Sequence, residues 1–519
     1  MFDLALYSGH NTSFTLSRDG EILEVLELER WLNVKNISLM WYEPNTFNPM
    51  YAIPEILNYF KVKYGADEFE HIICNQDDTE IYKNYGGILK LYNGKRLIET
   101  KHQMGHAMNV FYQTDLENAY IVSFDGGGND GCFNFYKADR TNGVQFIRAN
   151  KEYNIGEKYA QFGFYCDDLS PQDRFQGYLV HAGKLMGLSG YGDILHNDLD
   201  AFFNFYKGHH DTFEDKHRNY EVLKNKLRWP DRLAGKLQHD VARTSQHVFE
   251  QLFASLSKDE IDKSDNNLCL AGGCALNVLN NTEVYKKTKT YVSPNPDDRG
   301  LSLGFMLGHL QPKAAFDSTY IGPEAWDRHL LYEYVHKYNG VPLDMKRLAE
   351  DINNGKIIGV VRGRSEHGAR ALGNRSILCS PKMGMKDTLN AKVKHREYYR
   401  PFAPVVRREE ISKYFQWNDD ARWMSYSPKI NSEWRQHIAS VVHIDDTARV
   451  QTVTEQQNEF LYELLTELDS LTGIGIVLNT SFNIAGKPIL NTYRDAVWML
   501  ENVELDGLVL DGFYLSKKL

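Results

Sequence analysis

The sequence predicts an α/β protein with a duplicated core in its first half, and three observations lead to this class. The first 30 residues alternate apolar and polar side chains as strands do, with Asp19 and Gly20 marking a hairpin. A similar pattern returns at 119–148, where an apolar strand ends in glycines and a hairpin follows. A further α/β region opens with KIIGVVRGR, after a weak boundary at 310–345. We therefore expect two domains, the first of them made of two similar halves.

Each copy in the first half consists of a strand, a polar turn, further strands and then helical segments. Actin-like ATPases are built in this way, with nucleotide phosphates held between two glycine-rich hairpins. The first domain is therefore predicted to be actin-like. Between 193 and 260 the sequence is polar, aromatic and helical, which indicates an inserted helical segment.

The composition limits the function classes. The chain has 519 residues, of which 42% are hydrophobic and 25% charged, and this excludes a mainly disordered, collagen-like or coiled-coil protein. A formal net charge of −10 argues against a wholly basic nucleic-acid binder. The sequence shows no membrane-length apolar run, no signal peptide and no disulfide-framework spacing. It predicts a cytoplasmic protein without a membrane partner and leaves the oligomeric state open.

Two histidines and two aspartates indicate a metal site. His102 and His106 are four residues apart, so on a helix both imidazoles project from one face. Asp125 and Asp298 each lie where a strand meets a glycine turn, which exposes a carboxylate at the strand end. This donor set suits Fe(II), Mn(II) or Zn(II), and open coordination positions would favour catalysis. The alternative is that the two aspartates only cap turns.

A dense cationic set in the second half indicates an anion pocket. Its members are accompanied by Gly, Ala, Pro and Phe instead of Glu at helical spacing, which predicts partly buried cations that need anions. With the hydroxyls and amides of LNTSFN they fit a phosphate or acyl-phosphate pocket. The alternative is a solvated charged face. The set comprises Arg364, Arg370, Arg375, Lys394, His395, Arg396, Arg400 and Arg449.

Ordered blocks along nearly the whole chain resemble the O-carbamoyltransferases of the NodU/CmcH/TobZ family. In the first half they are SGHNTSF with ELER, HQMGHAM, FDGGG, GKLMGLSGYG, LAGGCALN and PDDRGLSLG. In the second half they are GRSEHGARALGNRSI, VKHREYYRPFAP, HIDDTARVQTV and LNTSFNIAGKPI. The departures, such as Ala369 where the family has proline, remove no charged site residue.

The resemblance implies a TsaD/Kae-like, actin-type domain at 1–335 and a YrdC-like domain at 336–519. In this family the YrdC-like domain makes carbamoyladenylate from carbamoyl phosphate and ATP, with Mg(II) accompanying the ATP. The TsaD/Kae-like domain then transfers the carbamoyl group to an acceptor hydroxyl. The resemblance therefore implies carbamoyl phosphate and ATP as binding partners of the chain.

The same resemblance implies roles for individual residues. It implies that His102, His106, Asp125 and Asp298 are the metal ligands, and that His10 lies beside the acceptor as a candidate general base. The residues implied to line the nucleotide in the first domain are Gly126, Gly127, Lys184, Gly187, Gly272, Gly273 and Asn277. Those implied for the carbamoyl phosphate and ATP pocket are Arg370, Arg375, Lys394, Arg396, Arg400, Arg449, Asn479, Ser481 and Asn483.

The helical segment bears on the choice of acceptor, and we place the insertion at 193–260 on the acceptor side. Residues 205–245 include nine basic and six acidic residues, a net charge of +3, with histidines and aromatic residues interleaved. An acidic polymer would favour such a segment, so the prediction leans toward 5-hydroxymethylcytosine in DNA. A solvated helical face is the alternative explanation. Two other functions stay open: the same chemistry on a sugar or natural-product hydroxyl, and a non-catalytic actin-fold nucleotide-binding regulator.

Overall fold

The structure is a computed structural model that describes residues 1–40, 48–169, 174–208 and 213–517. At 174–176, 178 and 213–217 it describes the backbone alone. The chain contacts define two compact units. The first unit comprises residues 1–32 and 36–318, and the second comprises residues 33–35 and 319–519.

The boundary between the units at 318/319 lies earlier than the predicted boundary after residue 335. The residues in between make their hydrogen bonds within the second unit. The Trp326 backbone N–H donates to the carbonyl of Asn491 at 3.2 Å, and the Tyr493 backbone N–H donates to Asp327 Oδ1 at 2.7 Å. These contacts join residues that are far apart in sequence, and the position at 318/319 lies within the weak boundary at 310–345.

The first unit contains two five-stranded sheets. The strands of the first sheet are β1 (Phe2–Tyr7), β2 (Ser13–Arg18), β3 (Glu21–Glu27), β4 (Phe69–Asn75) and β5 (Gly94–Thr100). The strands of the second sheet are β6 (Asn118–Phe124), β7 (Phe133–Asp139), β8 (Gly143–Ala149), β9 (Leu268–Ala271) and β10 (Thr290–Val292). The sheet orders are β3-β2-β1-β4-β5 and β8-β7-β6-β9-β10. In each sheet the first three strands are antiparallel and the last two add in parallel, so order and direction are the same.

The helices of the first unit surround these sheets. They are α1 (Leu28–Leu32), α2 (Ala52–Tyr64), α3 (Asp78–Ile81), α4 (Ile88–Leu91), α5 (His102–Phe111), α6 (Ile155–Gln161), α7 (Arg174–Ser189), α8 (Leu199–Phe205), α9 (Phe213–Leu227), α10 (Gly235–Leu256), α11 (Lys258–Lys263), α12 (Val278–Tyr285) and α13 (Leu301–Leu310). Helices α8, α9 and α10 occupy most of the stretch that the sequence predicts as helical. In the described ranges of the chain, no helix has both the length and the apolar character needed to cross a membrane.

Strand β1 lies at the centre of its sheet and is covered on both faces. Leu4 and Leu6 pack into one apolar cluster with residues of α2, whereas Ala5 and Tyr7 pack into another with residues of α13. Because successive side chains of a strand point to opposite faces, the run FDLALY contributes side chains to the apolar clusters on both faces of the sheet. Tyr7, the last residue of β1, therefore lies on the face of the sheet that α13 covers.

Helices α5 and α13 approach each other closely through a glycine in each. A Cβ atom on Gly304 would lie 2.2 Å from the carbonyl oxygen of Gly105, and a Cβ atom on Gly105 would lie 2.3 Å from the Phe305 ring. Any larger side chain at these two positions would push the helices apart. This approach brings the start of α13 to the face of α5 that carries the two histidines.

The second unit is built around an eight-stranded sheet with the order β11-β18-β17-β12-β13-β16-β14-β15. Its strands are β11 (Val341–Pro342), β12 (Ile358–Val361), β13 (Arg375–Cys379), β14 (Ala403–Arg407), β15 (Gln451–Val453), β16 (Ile476–Ser481), β17 (Gly507–Leu510) and β18 (Phe513–Ser516). Its helices are α14 (Leu331–Lys337), α15 (Met345–Asn353), α16 (Met385–Leu389), α17 (Ile411–Tyr414), α18 (Glu459–Thr472) and α19 (Tyr493–Asn502). Apolar side chains of α15 and α18 form one core with the central strands.

Candidate functional site

The four side chains predicted as metal ligands lie together in the first unit. His102 and His106 are on α5, Asp125 follows β6, and Asp298 precedes α13. Asp125 Oδ2 lies 3.4 Å from His102 Nε2 and 3.0 Å from His106 Nε2. Asp298 Oδ1 lies 3.5 Å and 3.3 Å from the same two nitrogens, which are 3.2 Å apart. We call these four residues the His/Asp tetrad.

The tetrad has the dimensions of a metal centre. Ligands bonded to one ion at about 2.1 Å are separated by roughly 3.0–3.4 Å, depending on whether they are octahedral neighbours or tetrahedral. The donor separations of 3.0–3.5 Å match this range. The four side chains are between 0% and 15% exposed, so few water molecules compete for their lone pairs. The donor set thus fits a divalent transition-metal ion.

The glycine loop after β6 fixes the start of α5. The backbone N–H of His102 donates to Asn129 Oδ1 at 3.1 Å, and the backbone N–H of Gln103 donates to Asp130 Oδ1 at 2.8 Å. Side-chain oxygens at a helix start satisfy backbone donors that have no partner within the helix. The FDGGGND loop therefore supplies one candidate ligand and holds the helix that supplies two more. The sequence reasoning missed this capping role, although the Asn-Asp pair after the glycines is a visible signal.

The tetrad is strongly polarised even without an ion. Burial alone would lower the pKa of His106, but hydrogen bonds and charge from Asp125 and Asp298 outweigh it and raise the pKa to about 10. Burial would raise the pKa of Asp125, but hydrogen bonds from His102 and His106 hold it well below its usual range. The carboxylates are therefore ionised, and the site attracts positive charge.

Tyr7 and His10 contact the outer oxygen of Asp298. The Tyr7 hydroxyl donates to Asp298 Oδ2 at 2.8 Å, and His10 Nε2 lies 3.1 Å from the same oxygen. Burial and the charge of Asp298 raise the pKa of Tyr7, so its phenol stays protonated and donates. The His10 side chain is 27% exposed, and its Nδ1 lies 3.0 Å from Asn11 Oδ1. Asp298 thus turns one oxygen toward the tetrad and the other toward His10.

A buried ion-pair network joins the His10 loop to the Asp298 loop. Asn11 Nδ2 donates to Glu29 Oε2 at 3.1 Å, and Arg299 Nε lies 3.3 Å from Glu29 Oε1. Arg299 also pairs with Asp297 through Nη1 and lies 3.9 Å from Glu27 Oε2. Asn11, which follows His10, and Arg299, which follows Asp298, therefore both contact the carboxylate of Glu29. No role was predicted for these residues, although the ELER and PDDRG blocks contain them.

Replacing Arg299 with methionine is expected to destabilise the first unit by about 3–5 kcal/mol, because it removes the guanidinium that pairs with the buried carboxylates of Asp297 and Glu29. Urea unfolding of the wild-type and Arg299→Met chains measures this difference. A change below about 1 kcal/mol, the range of exposed ion pairs, would contradict a structural role for the network.

Four of the five glycines predicted to line a nucleotide lie at two turns in the first unit. Gly126 and Gly127 follow Asp125, and Gly272 and Gly273 form the turn between β9 and α12. Gly272 has φ +88°, and a Cβ there would lie 2.3 Å from the Phe124 carbonyl oxygen, so only glycine fits. A Cβ on Gly273 would lie 2.9 Å from Asp125 Oδ1, which places this turn beside the tetrad.

The remaining predicted nucleotide residues have ordinary structural partners or lie elsewhere on the unit. Asn277 caps α12 by accepting from the Asn280 backbone N–H, and it exchanges side-chain hydrogen bonds with Gln246. Lys184 and Gly187 lie on α7.

Five predicted cations in the second unit lie close enough for their charges to lower the pKa values of Lys394, Arg396 and Arg449. Burial and the charges of Arg370, Arg396 and Arg400 lower the pKa of Arg449 well below its usual value. Burial and the charges of Arg396, Arg400 and Lys35 do the same for Lys394. The Arg449 Nε is buried and has no hydrogen-bond partner among the described residues. We call Arg370, Lys394, Arg396, Arg400 and Arg449 the cation cluster.

The LNTSFN segment lies against this cluster. Lys394 Nζ donates to the carbonyl of Ser481 at 2.8 Å and to Asn483 Oδ1 at 2.6 Å. Lys394 ends a π-helical turn, Asn390–Lys394, a local distortion that is frequent at functional sites. Asn479 is 1% exposed, and its Nδ2 donates to the carbonyl of Ala371 at 3.0 Å. The structure therefore brings the predicted lysine, hydroxyl and amide groups together.

Arg375 has a different environment from the one predicted. It is 0% exposed, so it cannot reach a ligand in solution without rearrangement. Its guanidinium donates to five oxygens at 2.7–3.4 Å: Asn491 Oδ1 and the carbonyls of Arg362, Asn374, Gly363 and Pro323. Because a guanidinium has five N–H donors, this set engages all of them. The structure gives Arg375 the role of holding the loop that leads to Arg370.

Replacing Arg375 with alanine is therefore expected to destabilise the second unit by about 3 kcal/mol or more, because several buried carbonyls lose their donor. Arg375→Lys should also be destabilising, since an ammonium cannot reproduce the planar fork. Urea unfolding monitored by tryptophan fluorescence measures both effects. Normal stability together with lost anion binding would restore the predicted phosphate-binding role.

The cationic segment at 205–245 is largely neutralised by acidic side chains in the described residues. Three ion pairs join it to acids outside the segment: Lys207 with Glu152, Arg232 with Asp167, and Lys236 with Asp193. These three acids offset the formal excess of three positive charges. Lys224 is paired within the segment, with Glu221 and Asp231. His209 and His210 lie outside the described residues, and the side chain of His217 is not described.

Comparison with known families gives two matches along the chain. The family model described as carbamoyltransferase N-terminus matches residues 58–307. The model described as carbamoyltransferase C-terminus matches residues 349–517. The first match spans the tetrad, and the second spans the cation cluster.

Similar proteins extend the match over both units. Nodulation protein NolNO of Sinorhizobium fredii is 29% identical over 560 residues, covering 98% of this chain and 79% of that protein. The 3'-hydroxymethylcephem-O-carbamoyltransferase of Streptomyces clavuligerus is 30% identical over 387 residues and covers 69% of this chain and 69% of that protein. An uncharacterized protein of Methanocaldococcus jannaschii is 27% identical and covers 99% of both chains.

Proposed function

The chain belongs to the family of O-carbamoyltransferases, and on that premise we propose that it transfers a carbamoyl group in two steps. In the first step, carbamoyl phosphate, water and ATP give carbamoyladenylate, phosphate and pyrophosphate. In the second, an acceptor hydroxyl attacks the carbamoyl carbon, the bond from that carbon to the AMP oxygen breaks, and a base takes the hydroxyl proton. We assign the first step to the second unit and the second step to the first unit.

The observation that carries this proposal is the cation cluster. Partly buried cations that depress one another's pKa are costly to fold and are stabilised only when anions join them. Carbamoyl phosphate and the triphosphate of ATP, with Mg(II) accompanying it, supply such anions. Ser481 and Asn483 add a hydroxyl and an amide beside Lys394 of the cluster. A non-catalytic regulator would have no use for a second anionic substrate, which favours the enzyme.

The tetrad supports a resident divalent ion in the transfer step. His102, His106, Asp125 and Asp298 would hold it, and Fe(II), Mn(II) and Zn(II) all accept two imidazoles and two carboxylates. Such an ion, when bound, supplies a Lewis acid for the carbamoyl carbonyl or the adenylate phosphate. The chain itself holds each imidazole nitrogen 3.0–3.5 Å from both carboxylates and keeps the four side chains largely buried.

His10 is the residue of this chain best placed to take the proton of the acceptor hydroxyl. In the neutral ring with Nδ1–H donating to Asn11 Oδ1, the Nε2 lone pair would face the carboxylate of Asp298. The acceptor hydroxyl would therefore have to displace the contact between Nε2 and Asp298 Oδ2 and donate to Nε2. After Nε2 receives the proton, the imidazolium is stabilised by Asp298 Oδ2 at 3.1 Å. The Tyr7 hydroxyl holds the same oxygen in place from the buried side.

Two features support the finer fold assignment. The two five-stranded sheets of the first unit share strand order and direction, as a duplicated actin-like core of the TsaD/Kae-like type requires. The turns at Gly126 and Gly272 border the tetrad side of the second of these sheets and would face the phosphates of a nucleotide. We assign the second unit, by the family resemblance, to the YrdC-like type.

For the acceptor, we propose a hydroxyl of a small molecule, a hydroxymethyl or sugar-like group. The ion pairs that neutralise the 205–245 segment remove the main argument for a DNA acceptor. One relative is named for transfer to a hydroxymethyl group on a cephem. The acceptor panel described next therefore includes DNA with 5-hydroxymethylcytosine, the acceptor toward which the sequence leaned.

Mass spectrometry of an acceptor panel tests this proposal. The panel contains a hydroxymethyl cephem, a lipochito-oligosaccharide and DNA with 5-hydroxymethylcytosine, each incubated with carbamoyl phosphate, ATP, Mg(II) and Fe(II). Unmodified DNA and a cephem without the hydroxyl are the matched controls. We expect a carbamoyl mass increment on a small-molecule acceptor. An increment on the modified DNA alone would reverse the acceptor proposal and keep the chemistry, whereas no pyrophosphate release with any acceptor would contradict the chemistry.

A further inference from the structure

Helix α13 has a cluster of histidine and aspartate at each end. The tetrad lies at its start, and Asp3, His71 and His309 lie at its other end. Each of these three residues offers one ligand atom, and the three atoms lie within 4.8 Å of one another. We propose that Asp3, His71 and His309 form a second metal site, and that Zn²⁺ is the ion its donors fit best.

The sheet register explains why the three residues meet. Asp3 on β1 and His71 on β4 are direct partners in the parallel pair, so they project from the same face. Asp3 also shares this face with Ala5 and Tyr7, which α13 covers. His309 lies in the last turn of that helix and completes the group.

The second cluster is separate from the tetrad. Helix α13 has ten residues, which span about 15 Å at 1.5 Å per residue. The tetrad precedes the first turn, whereas His309 is in the last turn. An ion at the second cluster therefore has no ligand in common with an ion at the tetrad.

The donor geometry is close to that of a zinc site with an open position. His71 Nδ1 lies 2.8 Å from Asp3 Oδ1, and His309 Nε2 lies 3.9 Å from Asp3 Oδ2. Tetrahedral ligands of zinc are separated by about 3.4 Å, between these two values. The two imidazole centroids are 4.8 Å apart, so small side-chain rotations bring both nitrogens to one ion.

Burial and charge also fit an ion that enters from solvent. The Asp3 side chain is 8% exposed, while His71 and His309 are 19% and 24% exposed. In the ion pairs of the described residues, histidines alone accompany the Asp3 carboxylate. Two imidazoles with one carboxylate favour zinc over Mg²⁺ or Ca²⁺, which prefer oxygen ligands. The exposed edge leaves room for water as the fourth ligand.

An ion at this cluster would join three elements of the first unit: β1, β4 and the end of α13. Because it would bind the folded chain and not the separated elements, it would stabilise the unit by an amount that grows with the logarithm of the free Zn²⁺ concentration above the dissociation constant. The site is therefore expected to be structural, and its loss should leave carbamoyl transfer unchanged at temperatures well below unfolding.

Zinc stoichiometry tests the second site. Chelator-treated chain is dialysed against Zn²⁺ alone, and bound zinc is measured by mass spectrometry of the metal. We expect His309→Gln and His71→Gln each to bind one zinc ion fewer than the wild type. The matched control His196→Gln, at an exposed histidine of the same unit, should bind the wild-type amount.

The tetrad variant His106→Gln separates the two sites. It should still bind one zinc ion, and adding Zn²⁺ should still raise its unfolding temperature, an effect that the additional His309→Gln change should remove. If His71→Gln does not fold, His309→Gln and the visible spectrum of Co²⁺-loaded His106→Gln give the answer. Undiminished zinc binding by His309→Gln, or no binding by His106→Gln, would overturn the proposal. Neither outcome depends on the carbamoyltransferase assignment.

Discussion

Replacing His102 and His106 with alanine is expected to lower carbamoyl transfer by about a hundred- to a thousandfold, because the candidate ion loses half of its ligands. Pyrophosphate release that depends on carbamoyl phosphate should stay within about twofold of the wild-type rate, because we assign that step to the second unit, which contains no residue of the tetrad. Metal content, carbamoylated product and pyrophosphate are measured on the same preparation. The expected pattern is a chain that lacks the metal ion of the tetrad, still makes the adenylate and does not transfer the carbamoyl group.

The double variant leaves the carboxylates of Asp125 and Asp298 without the two imidazoles of α5, so its folding must be examined. A version with glutamine at both positions keeps neutral hydrogen-bond donors near Asp125 and Asp298 while removing the imidazoles. The exposed His196→Ala serves as the matched control. If either folded double variant transfers carbamoyl groups at the wild-type rate, the tetrad is not the site of transfer.

Replacing Arg449 with alanine is expected to lower carbamoyl-phosphate-dependent pyrophosphate release by about a hundredfold or more, because the anion loses a partly buried charged donor. Stability should be unchanged or higher, since the substitution relieves repulsion from Arg370, Arg396 and Arg400. A coupled pyrophosphate assay and thermal unfolding measure the two effects. Loss of activity with retained stability distinguishes a binding residue from a structural one.

The matched control for Arg449 is Arg435, which lies in the same unit and is 46% exposed with Asp446 as its partner. Arg435→Ala should change neither pyrophosphate release nor stability by a measurable amount. Metal bound by the first unit should be unaffected in both variants. Normal pyrophosphate release by Arg449→Ala would show that the cation cluster is not the pocket for carbamoyl phosphate and ATP.

The position of the tetrad could be predicted from the sequence because each ligand has a local signal. Histidines four apart share a helix face, and an aspartate at a strand-to-glycine turn has an exposed carboxylate. In the structure, one nitrogen or carboxylate oxygen from each of His102, His106, Asp125 and Asp298 lies within 4.8 Å of the others, as that reasoning expects. The identity of the ion stays a prediction, because the same donors accept several metals.

The two arginines Arg375 and Arg449 show what the sequence motifs do not indicate. Both lie in motif blocks, and neither motif indicates whether the guanidinium donates to backbone carbonyls or keeps N–H groups available for a ligand. Arg375 is engaged by five oxygens, whereas Arg449 keeps a buried Nε without a partner in the described residues. That difference arises from tertiary contacts with Asn491 and Pro323, far along the chain.

Charge counting along the chain failed for the same reason. The segment 205–245 carries an excess of positive charge, but its partners Glu152, Asp167 and Asp193 precede it in sequence. The strand patterns were more informative, since the first 30 residues contain β1 to β3 and the stretch at 119–148 falls on β6 to β8. Local periodicity therefore predicted the sheets, whereas electrostatic pairing required the folded chain.

The nucleotide products of a single reaction test the central claim most directly. Wild-type protein is incubated with carbamoyl phosphate, ATP, Mg(II), Fe(II) and an acceptor that the panel has identified, and the nucleotides are separated and quantified. We expect AMP and pyrophosphate in a one-to-one ratio with the carbamoylated product, and no cleavage of ATP when carbamoyl phosphate is omitted. Formation of carbamoylated product with ADP in place of AMP, or with ATP intact, would contradict a carbamoyladenylate intermediate.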